Sequence, residues 1–492
     1  MRRFGSAPGA TTSSWFNSMA SVYQRASSGA AELAMPRALR PQRSTGIRHT
    51  SCFCVRAFMR TLLRAVLFFV VALSACEAPK PQPLPMPRGP DCSVAVDPAL
   101  LTGRQGARLR IPLTVGADVT AMRVEQLMSL SDSVENDELR VTLPYGVTTA
   151  KLIIAADCDG ATTFGTFDFT VAPLLWSRAA EWTGSEGPTA REYFSMWLDA
   201  NDANRVYLHG GFVYVPQQFT PSDELWSLDL STRKWSPVAQ AGAKPAAAGG
   251  RMALSADGRS SLYFGGIDVV AMETPNVLTR LSLETGVWTN EPATGGRGEY
   301  QTTFFFDAKR NRYLSICGAN DTVGFHCEVR ELHEGAWNTV ATNGTAPAGR
   351  NGHAWVYDAE TDRVIIFGGD IRGTTQGDTW ALDLATSTWT RLFEEVAGIE
   401  ARRNMAYALD VKNHRLIIWG GTRDGVNAVT GVQALDLTRG FEAWAQVGTA
   451  GDFVPLSRAS GAAVYDASKQ RLLMGFGNTA AGQYADLWQL EL

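Results

Sequence analysis

The stretch Arg350 to Leu392, RNGHAWVYDAETDRVIIFGGDIRGTTQGDTWALDLATSTWTRL, decides the fold because one complete sheet can be read from its pattern. Short runs rich in Val, Ile, Trp and Thr alternate with turns that contain Gly and Asp, which is typical of antiparallel strands. The runs are GHAWVYD, RVIIFGG, DTWALDL and STWTRL, named here strands a, b, c and d. Similar runs recur at a spacing of roughly 50 to 56 residues, and a period of that size indicates a propeller or solenoid array.

Two markers identify the copies of this repeat. An apolar run ends in glycine six times, at Gly210–Gly211, Gly265–Gly266, Gly318, Gly368–Gly369, Gly420–Gly421 and Gly477. A Trp follows in strand d of five copies, at Trp235, Trp288, Trp337, Trp389 and Trp444. The sixth copy stops before its strand d, but residues 172–180, with Trp176, repeat that strand far upstream. We expect this segment to complete the last sheet and close a ring, which removes open sheet edges.

The repeats resemble the kelch family, whose marks are the double glycine after an apolar strand, an aromatic such as Tyr357 and the later Trp. The resemblance covers residues 172–492 and implies a six-bladed kelch-like β-propeller. Seven blades stay open as an alternative, because Cys317 and Phe476 interrupt the glycine marker in repeats 3 and 6. We expect the glycines to adopt positive φ at close backbone contacts, and the Trp side chains to pack blade against blade.

Residues 91–171 contain short alternating runs separated by Gly, Asp and Pro, which predicts a small immunoglobulin-like β-sandwich in an all-β chain. Its role is either a spacer or a binding module. Four cysteines of the body form an even set, and we expect the disulfides Cys92–Cys158 and Cys317–Cys327 rather than a zinc site.

The N-terminal part indicates export. Residues 59–75 have a basic start, an apolar core and small residues before Cys76, as in a signal peptide. Leu73 to Cys76 resembles the lipobox of bacterial lipoproteins, which implies that Cys76 is lipidated; an ordinary signal peptide is the alternative. Residues 76–90 are Pro-rich and read as an extended tether. Residues 1–58 do not fit before such a signal, so we expect a disordered leader of doubtful authenticity.

Charge and motifs narrow the function. The first 75 residues carry ten Arg, no Lys and a single acid, so the remainder is acidic and nucleic acid is a poor partner. No catalytic motif, cofactor site or pair of His at metal-ligand spacing is present in the sequence of the body. The Asp-led a–b turns read as structural turns, with calcium as a weaker alternative. A copper oxidase of the kelch family would need a Tyr cross-linked to a Cys, which the cysteine positions do not favour.

The candidate binding residues lie near one end of the predicted ring. The b–c loops differ in length and chemistry, and the first of them carries Phe212, Tyr214 and Phe219. Five arginines stand at or before strand a of their repeats: Arg191, Arg251, Arg350, Arg402 and Arg458. They either bond carbonyls of a neighbouring blade or form a cationic ring at a channel mouth that attracts an anionic ligand. Repeat 3 departs, with Glu299 near that place.

These patterns predict a lipid-anchored, exported protein on the periplasmic side of the envelope or at the outer membrane. We expect it to be a monomer without cofactor or metal that recognises a protein or glycan ligand without catalysis. It would contact the membrane through its lipid anchor only. The alternative is a sugar-modifying enzyme such as a periplasmic kelch-type mutarotase, which rests on architecture and compartment and carries no residue across.

Overall fold

A computed structural model describes residues 89–492, apart from 216–217, 246–247 and 269–272. The predicted leader, signal peptide and lipidation site at Cys76 lie outside the described residues. Within them, the regular elements are β-strands and two 3₁₀ helices, Pro98–Leu100 and Gly184–Glu186, so this part of the chain is all-β. No helix of the described part is long and apolar enough to cross a membrane.

The N-terminal strands form small sheets around their own core, antiparallel except for the parallel pair β2 and β9. They are β1 (Val94–Ala95), β2 (Thr102–Arg104), β3 (Arg108–Pro112), β4 (Thr114–Val115), β5 (Val119–Gln126), β6 (Ser133–Glu135), β7 (Glu138–Thr142), β8 (Thr149–Cys158) and β9 (Ala161–Ala172). Their orders are β2-β9-β8-β5, β3-β7-β6 and β1-β4. The alternating side chains of β7, β8 and β9 bury one apolar face, which includes Leu139, Ile154 and Phe169. The disulfide Cys92–Cys158 joins the start of this part to β8, as predicted.

Six sheets follow, each with the strand order a-b-c-d. Sheet I has β11 (Ser195–Leu198), β12 (Arg205–His209), β15 (Leu225–Asp229) and β16 (Lys234–Pro237), with hairpin β13 (Phe212–Val215) and β14 (Gln218–Pro221). Sheet II has β18 (Arg251–Leu254), β19 (Ser260–Phe264), β20 (Leu278–Ser282) and β21 (Val287–Asn290), with β17 (Ala241–Gly242) beside β21. Sheet III has β22 (Thr303–Asp307), β23 (Arg312–Asn320), β24 (Gly324–His333) and β25 (Ala336–Thr339).

The remaining three sheets repeat the arrangement. Sheet IV has β26 (Ala354–Asp358), β27 (Arg363–Phe367), β30 (Thr379–Asp383) and β31 (Thr388–Phe393), with hairpin β28 (Asp370–Ile371) and β29 (Thr374–Thr375). Sheet V has β32 (Ala406–Asp410), β33 (Arg415–Trp419), β34 (Val432–Asp436) and β35 (Ala443–Val447). Sheet VI has β37 (Ala462–Asp466), β38 (Arg471–Gly475) and β41 (Leu487–Glu491), with hairpin β39 (Asn478–Thr479) and β40 (Gly482–Gln483).

The fourth strand of sheet VI is β10 (Leu174–Ala180), which pairs antiparallel with β41 in the register Trp176 opposite Leu490. Strand β36 (Thr449–Ala450) adds in parallel on the outer side of β10. The first strands of successive sheets contact one another, with β22 and β26 joined by the Phe305 and Tyr357 rings, whose centroids are 5.1 Å apart. Strand β11 also contacts β37, so the sheets form a ring. This arrangement is β-propeller-like.

The Trp of each strand d packs against the preceding sheet, as the sequence predicted. It contacts the residue at or just before the glycine marker, with ring centroids 4.7 to 6.1 Å apart in five junctions. The pairs are Trp288–His209, Trp337–Phe264, Trp444–Phe367, Trp176–Trp419 and Trp235–Phe476, and Trp389 joins the cluster of Ile316 and Cys317. Because aromatic burial contributes strongly to packing, these contacts form the core between the sheets.

The glycine marker is the backbone contact between neighbouring sheets. At Gly420, a Cβ would stand 2.1 Å from the carbonyl oxygen of Arg458 in the next sheet, and φ is +66°, so only glycine fits without strain. Cys317 and Phe476 occupy the equivalent position with φ of 55° and 54°. Their side chains serve the junction: Cys317 bonds Cys327 as predicted, and Phe476 is fully buried. The interruptions of the marker are therefore substitutions within the same backbone geometry.

The N-terminal sheets contact the turns of sheet V. The Arg415 guanidinium donates to the carbonyl of Gln105 at 2.6 Å and to the hydroxyl of Tyr145 at 3.2 Å. The backbone N–H of Arg108 donates to Asn413 at 3.0 Å. Since Asn413 lies in the a–b turn and Arg415 begins β33 directly after that turn, the N-terminal part is attached on the side of the ring opposite the b–c connections.

Candidate functional site

The arginines predicted to ring the channel are mostly interior. Arg191, Arg350, Arg402 and Arg458 are at most 2% exposed. The guanidinium of Arg350 donates to the carbonyl of Gly368 at 3.0 Å and forms a bidentate pair with Asp378 at 2.5 and 2.9 Å. Burial alone would raise the pKa of Asp378, but the bonds from Arg350 outweigh it and hold the pKa below its ordinary value. This is a structural bond network, which corrects the expectation of a cationic ring.

The other three interior arginines repeat this arrangement with variations. Arg191 bonds the Gly210 carbonyl and pairs with Glu224 at 2.6 Å. Arg458 pairs with Asp486, and its guanidinium lies 4.2 Å from the ring centroid of Tyr484. In each of these cases the partner belongs to the same sheet, so the expected bond to a carbonyl of a neighbouring blade is wrong for these arginines. It is confirmed for Arg251, whose Nε donates to the carbonyl of Thr302 in the next sheet at 3.1 Å. The link between sheets is instead made by backbone, for example by the Gly369 N–H, which donates to the Arg402 carbonyl at 3.0 Å.

Arg402 differs because it forms no ion pair with a carboxylate of the described residues. Its guanidinium donates to the carbonyls of Gly420 at 3.1 Å and Glu400 at 3.1 Å. Its second terminal nitrogen is buried and has no partner among the described residues. Burial therefore lowers the pKa of Arg402 to about 10.

Repeat 3 reverses the charge of this network. Glu299 takes the arginine position, fully buried, and lies 3.4 Å from Arg330 in strand β24. The hydroxyl of Ser315 donates to Glu299 at 2.5 Å. Sheet III thus keeps an ion pair that links the start of strand a to strand c, but the acid, Glu299, is on the side of strand a and the arginine, Arg330, is in strand c.

Arg251 does not belong to this set. The other arginines directly precede a residue that bridges to the start of the b–c connection, as Arg350 precedes Asn351, which bridges to Asp370. The bridging residue of sheet II is Ala248, three positions before Arg251. Arg251 therefore lies inside β18, where it lines a central cavity. Arg251 thus stands at the start of strand a, as predicted, but at a different position from the other arginines relative to the bridging residue.

The predicted aromatic residues lie on hairpin β13–β14. Tyr214 is 52% exposed, whereas Phe212 is 6% exposed and Phe219 is half-buried. The Phe219 ring lies 5.2 Å from the ring of Tyr214 and 6.5 Å from that of Phe212. The backbone N–H of Tyr214 donates to Gln483 at 3.0 Å, which ties this hairpin to hairpin β39–β40. Phe212 and Phe219 therefore support Tyr214, which is the accessible member.

A second exposed apolar group, which the sequence analysis missed, occupies segment 451–457 between β36 and sheet VI. Phe453, Val454 and Leu456 are 74%, 55% and 64% exposed. Both ends of the segment are held: β36 pairs with β10, and Arg458 donates to the Leu456 carbonyl at 2.9 Å. The signal was the run FVPL in a connection that needs no apolar residues to reverse the chain. We use the name loop face for the surface formed by the hairpins β13–β14, β28–β29 and β39–β40 together with segment 451–457.

The a–b turns have the structural role predicted for them. Asp410 accepts from the backbone N–H of Asn413 at 3.2 Å, and Asp466 accepts from that of Ser468 at 3.1 Å. Among the residues that the structure describes, no group of three or more His, Cys, Asp and Glu side chains is placed to hold a metal ion.

Comparison with known proteins places a kelch likeness in the C-terminal part. Residues 308–492 match the KLHDC2/KLHL20/DRC7 Kelch-repeats domain. Acyl-CoA-binding domain-containing protein 5 of Arabidopsis thaliana is 28% identical over 189 residues, which is 38% of this chain and 28% of that protein. Kelch domain-containing protein 3 of Bos taurus is 23% identical over 211 residues, which is 40% of this chain and 54% of that protein.

The chain thus spans about half or less of the length of these relatives. Among solved structures, one titled "Structure of YjhT" aligns with a TM-score of 0.47 and 15% identity, over 62% of this chain and 96% of that chain. The β-propeller-like description rests on the sheets of this chain, and the kelch match supports the repeat assignment from β23 onward.

Proposed function

We propose that this chain is a recognition protein that binds a protein partner through the loop face, without catalysis. The observation that carries the proposal is the apolar group Phe453, Val454 and Leu456, which is exposed on a segment fixed at both ends. Folding alone does not require such surface, and contiguous exposed apolar residues mark interaction sites. Tyr214 adds an aromatic side chain of the type that most often dominates interfaces.

A protein suits this surface better than a glycan. Sugars are bound by flat aromatic rings and by polar groups, whereas Val454 and Leu456 offer aliphatic surface that gains free energy when an apolar partner covers it. The kelch match over residues 308–492 supports a repeat scaffold that presents the segment 451–457, and the side chains of that segment indicate an apolar partner surface.

The position of the N-terminal part favours the loop face over the opposite side. Arg415 and Asn413 bond the N-terminal part at the a–b turn of sheet V, so that side is partly covered. We infer that residues 91–171 form an immunoglobulin-like sandwich which holds the ring with its loop face free.

We further infer a six-bladed propeller over residues 172–492, closed by residues 172–180. The six four-stranded sheets and the pairing of β10 with β41 support this count. The lipid anchor at Cys76, the tether 76–90 and the location at the cell envelope remain part of the proposal on sequence grounds.

A photo-crosslinking residue placed at single exposed positions tests the proposal in the producing cell. We expect a crosslinker at Tyr214 or Leu456 to trap one protein partner. The matched control is Val411, which is 60% exposed on the a–b turn of sheet V and should trap none. Crosslinks from Val411 but not from Tyr214 or Leu456 would show that the wrong side was chosen.

A further inference from the structure

The first strands of the ring surround a central cavity of about 450 Å³. Strands β11, β18, β26, β32 and β37 contribute to its walls. Cavities of this size that combine apolar walls with a few polar groups are the usual form of small-molecule sites. The cavity is distinct from the loop-face residues proposed for protein recognition.

The end of the cavity beneath the loop face is closed by a plug of side chains, Tyr193, Gln301, Asn404 and Ser460. The Asn404 amide donates to the Tyr193 hydroxyl at 3.0 Å, and so links sheets V and I at this end of the cavity. Backbone bonds reinforce it: Tyr193 N–H donates to the Ser460 carbonyl at 3.2 Å, and Ser460 N–H donates to the Asn404 carbonyl at 2.7 Å. All four residues have φ between 51° and 59°, a strained conformation that persists where the surroundings enforce it.

Arg251 supplies the one charge in the lining of the cavity as the structure describes it. Its Nε donates to the Thr302 carbonyl at 3.1 Å, and no carboxylate in the described part of the chain pairs with it. The nearby His353 is fully buried, and its pKa lies well below the ordinary value because of burial first and the charges of Arg350 and Arg251 next. His353 therefore stays neutral, and the positive charge of Arg251 is left without a counter-charge inside the ring.

The opposite end of the cavity is lined by apolar and aromatic side chains. Leu198, Leu254 and Leu409 lie there, at the ends of their strands, and all three are partly exposed. Trp355 and Tyr407 lie between this end and Arg251. An entering molecule would thus pass apolar walls before it reached the guanidinium.

We propose that the cavity binds a small monocarboxylate with an apolar or aromatic body, its carboxylate on the terminal nitrogens of Arg251 and its body along Trp355 and Tyr407. Arginine and carboxylate match in geometry, and the bond is strong where water is excluded. A neutral molecule of the same shape would leave the guanidinium without its counter-charge. The ligand enters from the Leu409 end, because the plug closes the other.

Binding of 2-naphthoate to the full chain, followed by calorimetry and Trp fluorescence, tests this site. We expect saturable binding of one molecule per chain, with 2-naphthamide weaker by about tenfold or more, since a bond to a charged group is lost. Arg251→Met should weaken naphthoate by a similar factor and Arg251→Lys by less, while an unchanged melting temperature shows that both variants fold. Benzoate and decanoate extend the probe series.

Several results would overturn the proposal. One is that none of the three carboxylates binds saturably up to its solubility limit. Another is equal affinity for naphthoate and its amide. The third is an Arg251→Met variant that folds and binds naphthoate as well as the wild type. The Tyr214→Ala variant should bind naphthoate normally, so a failure here is distinguishable from a failure of the loop-face proposal.

The route of entry has its own readout. Leu409→Trp should slow association and dissociation of naphthoate together, whereas Tyr193→Phe, which weakens the plug, should leave the association rate unchanged. Faster association in Tyr193→Phe with no effect of Leu409→Trp would place the entrance under the loop face and contradict this part.

Discussion

Replacement of Arg350 by Met tests whether the interior arginines are structural. The variant keeps the volume of the side chain but leaves Asp378 without its partner at a position where that carboxylate is only 16% exposed. Removal of one member of a buried ion pair costs about 3–5 kcal/mol, because the remaining charge stays desolvated. We therefore expect the free energy of unfolding to fall by that amount.

Arg402→Met is the matched control. Arg402 bonds the equivalent glycine carbonyl but has no carboxylate partner, and one of its nitrogens is buried without any bond among the described residues. Its removal loses two hydrogen bonds and also removes an uncompensated charge, so we expect a cost below about 2 kcal/mol. In the Arg350→Met background, Asp378→Asn should recover part of the loss, because a neutral amide tolerates burial better.

Equilibrium unfolding in urea, followed by Trp fluorescence, measures these differences. The reasoning is refuted if Arg350→Met and Arg402→Met cost the same, or if Asp378→Asn gives no recovery. A fully stable Arg350→Met variant would reopen a ligand role for this arginine.

Three further predictions concern other parts of the chain. Burial lowers the pKa of His209 from 6.5 to about 3, so between these values the unfolded chain binds one more proton than the folded chain, and the free energy of unfolding falls as the pH falls. His209→Phe should lessen that loss, as measured by urea midpoints from about pH 7 to pH 4. An unchanged pH profile would contradict this prediction. Trp176→Ala should lower the free energy of unfolding by about 3–5 kcal/mol, since Trp176 is 2% exposed and packs sheet VI against Trp419. The control Phe164→Ala, at a 61% exposed position, should lower it little. Equal melting temperatures of the two variants would show that the ring does not close there. Cys76→Ser should release the protein from the membrane fraction, and retention without a lipid label on the wild type would speak against the anchor.

Most of the fold could be predicted from the repeat pattern, because the signals of that pattern are local. The strands of residues 350–392, the glycine junctions and the Trp contacts follow from periodicity and from backbone conformations that few residues adopt. The two disulfides followed from an even set of cysteines, paired so that each bond stays within one domain. Cys317 and Phe476 looked like breaks in the pattern, yet they take the same backbone conformation as glycine.

The burial of the arginines was harder to foresee because the partner is distant in sequence. Glu224, Asp378 and Asp486 each directly precede strand c of the same sheet, so the repeats do carry a signal for the pair, at a separation of 28 to 33 residues from the arginine. Arg251 also stands at the start of strand a, so only the bridge at Ala248, which the sequence does not reveal, distinguishes it from the other arginines. The contact of Arg415 with the N-terminal sheets has no local pattern, since tertiary packing alone brings these residues together.

The central claim is that the loop face binds a protein partner through its exposed apolar residues. The most direct test is the dissociation constant of the partner identified by crosslinking, measured against two double variants of the chain. Phe453→Ser with Leu456→Ser should weaken binding by about tenfold or more, whereas Val411→Ser with Phe441→Ser, on the opposite side of sheet V and 60% and 49% exposed, should leave it unchanged. Equal affinity of the loop-face variant and the wild type, or loss of binding in the Val411 and Phe441 variant alone, would contradict the account.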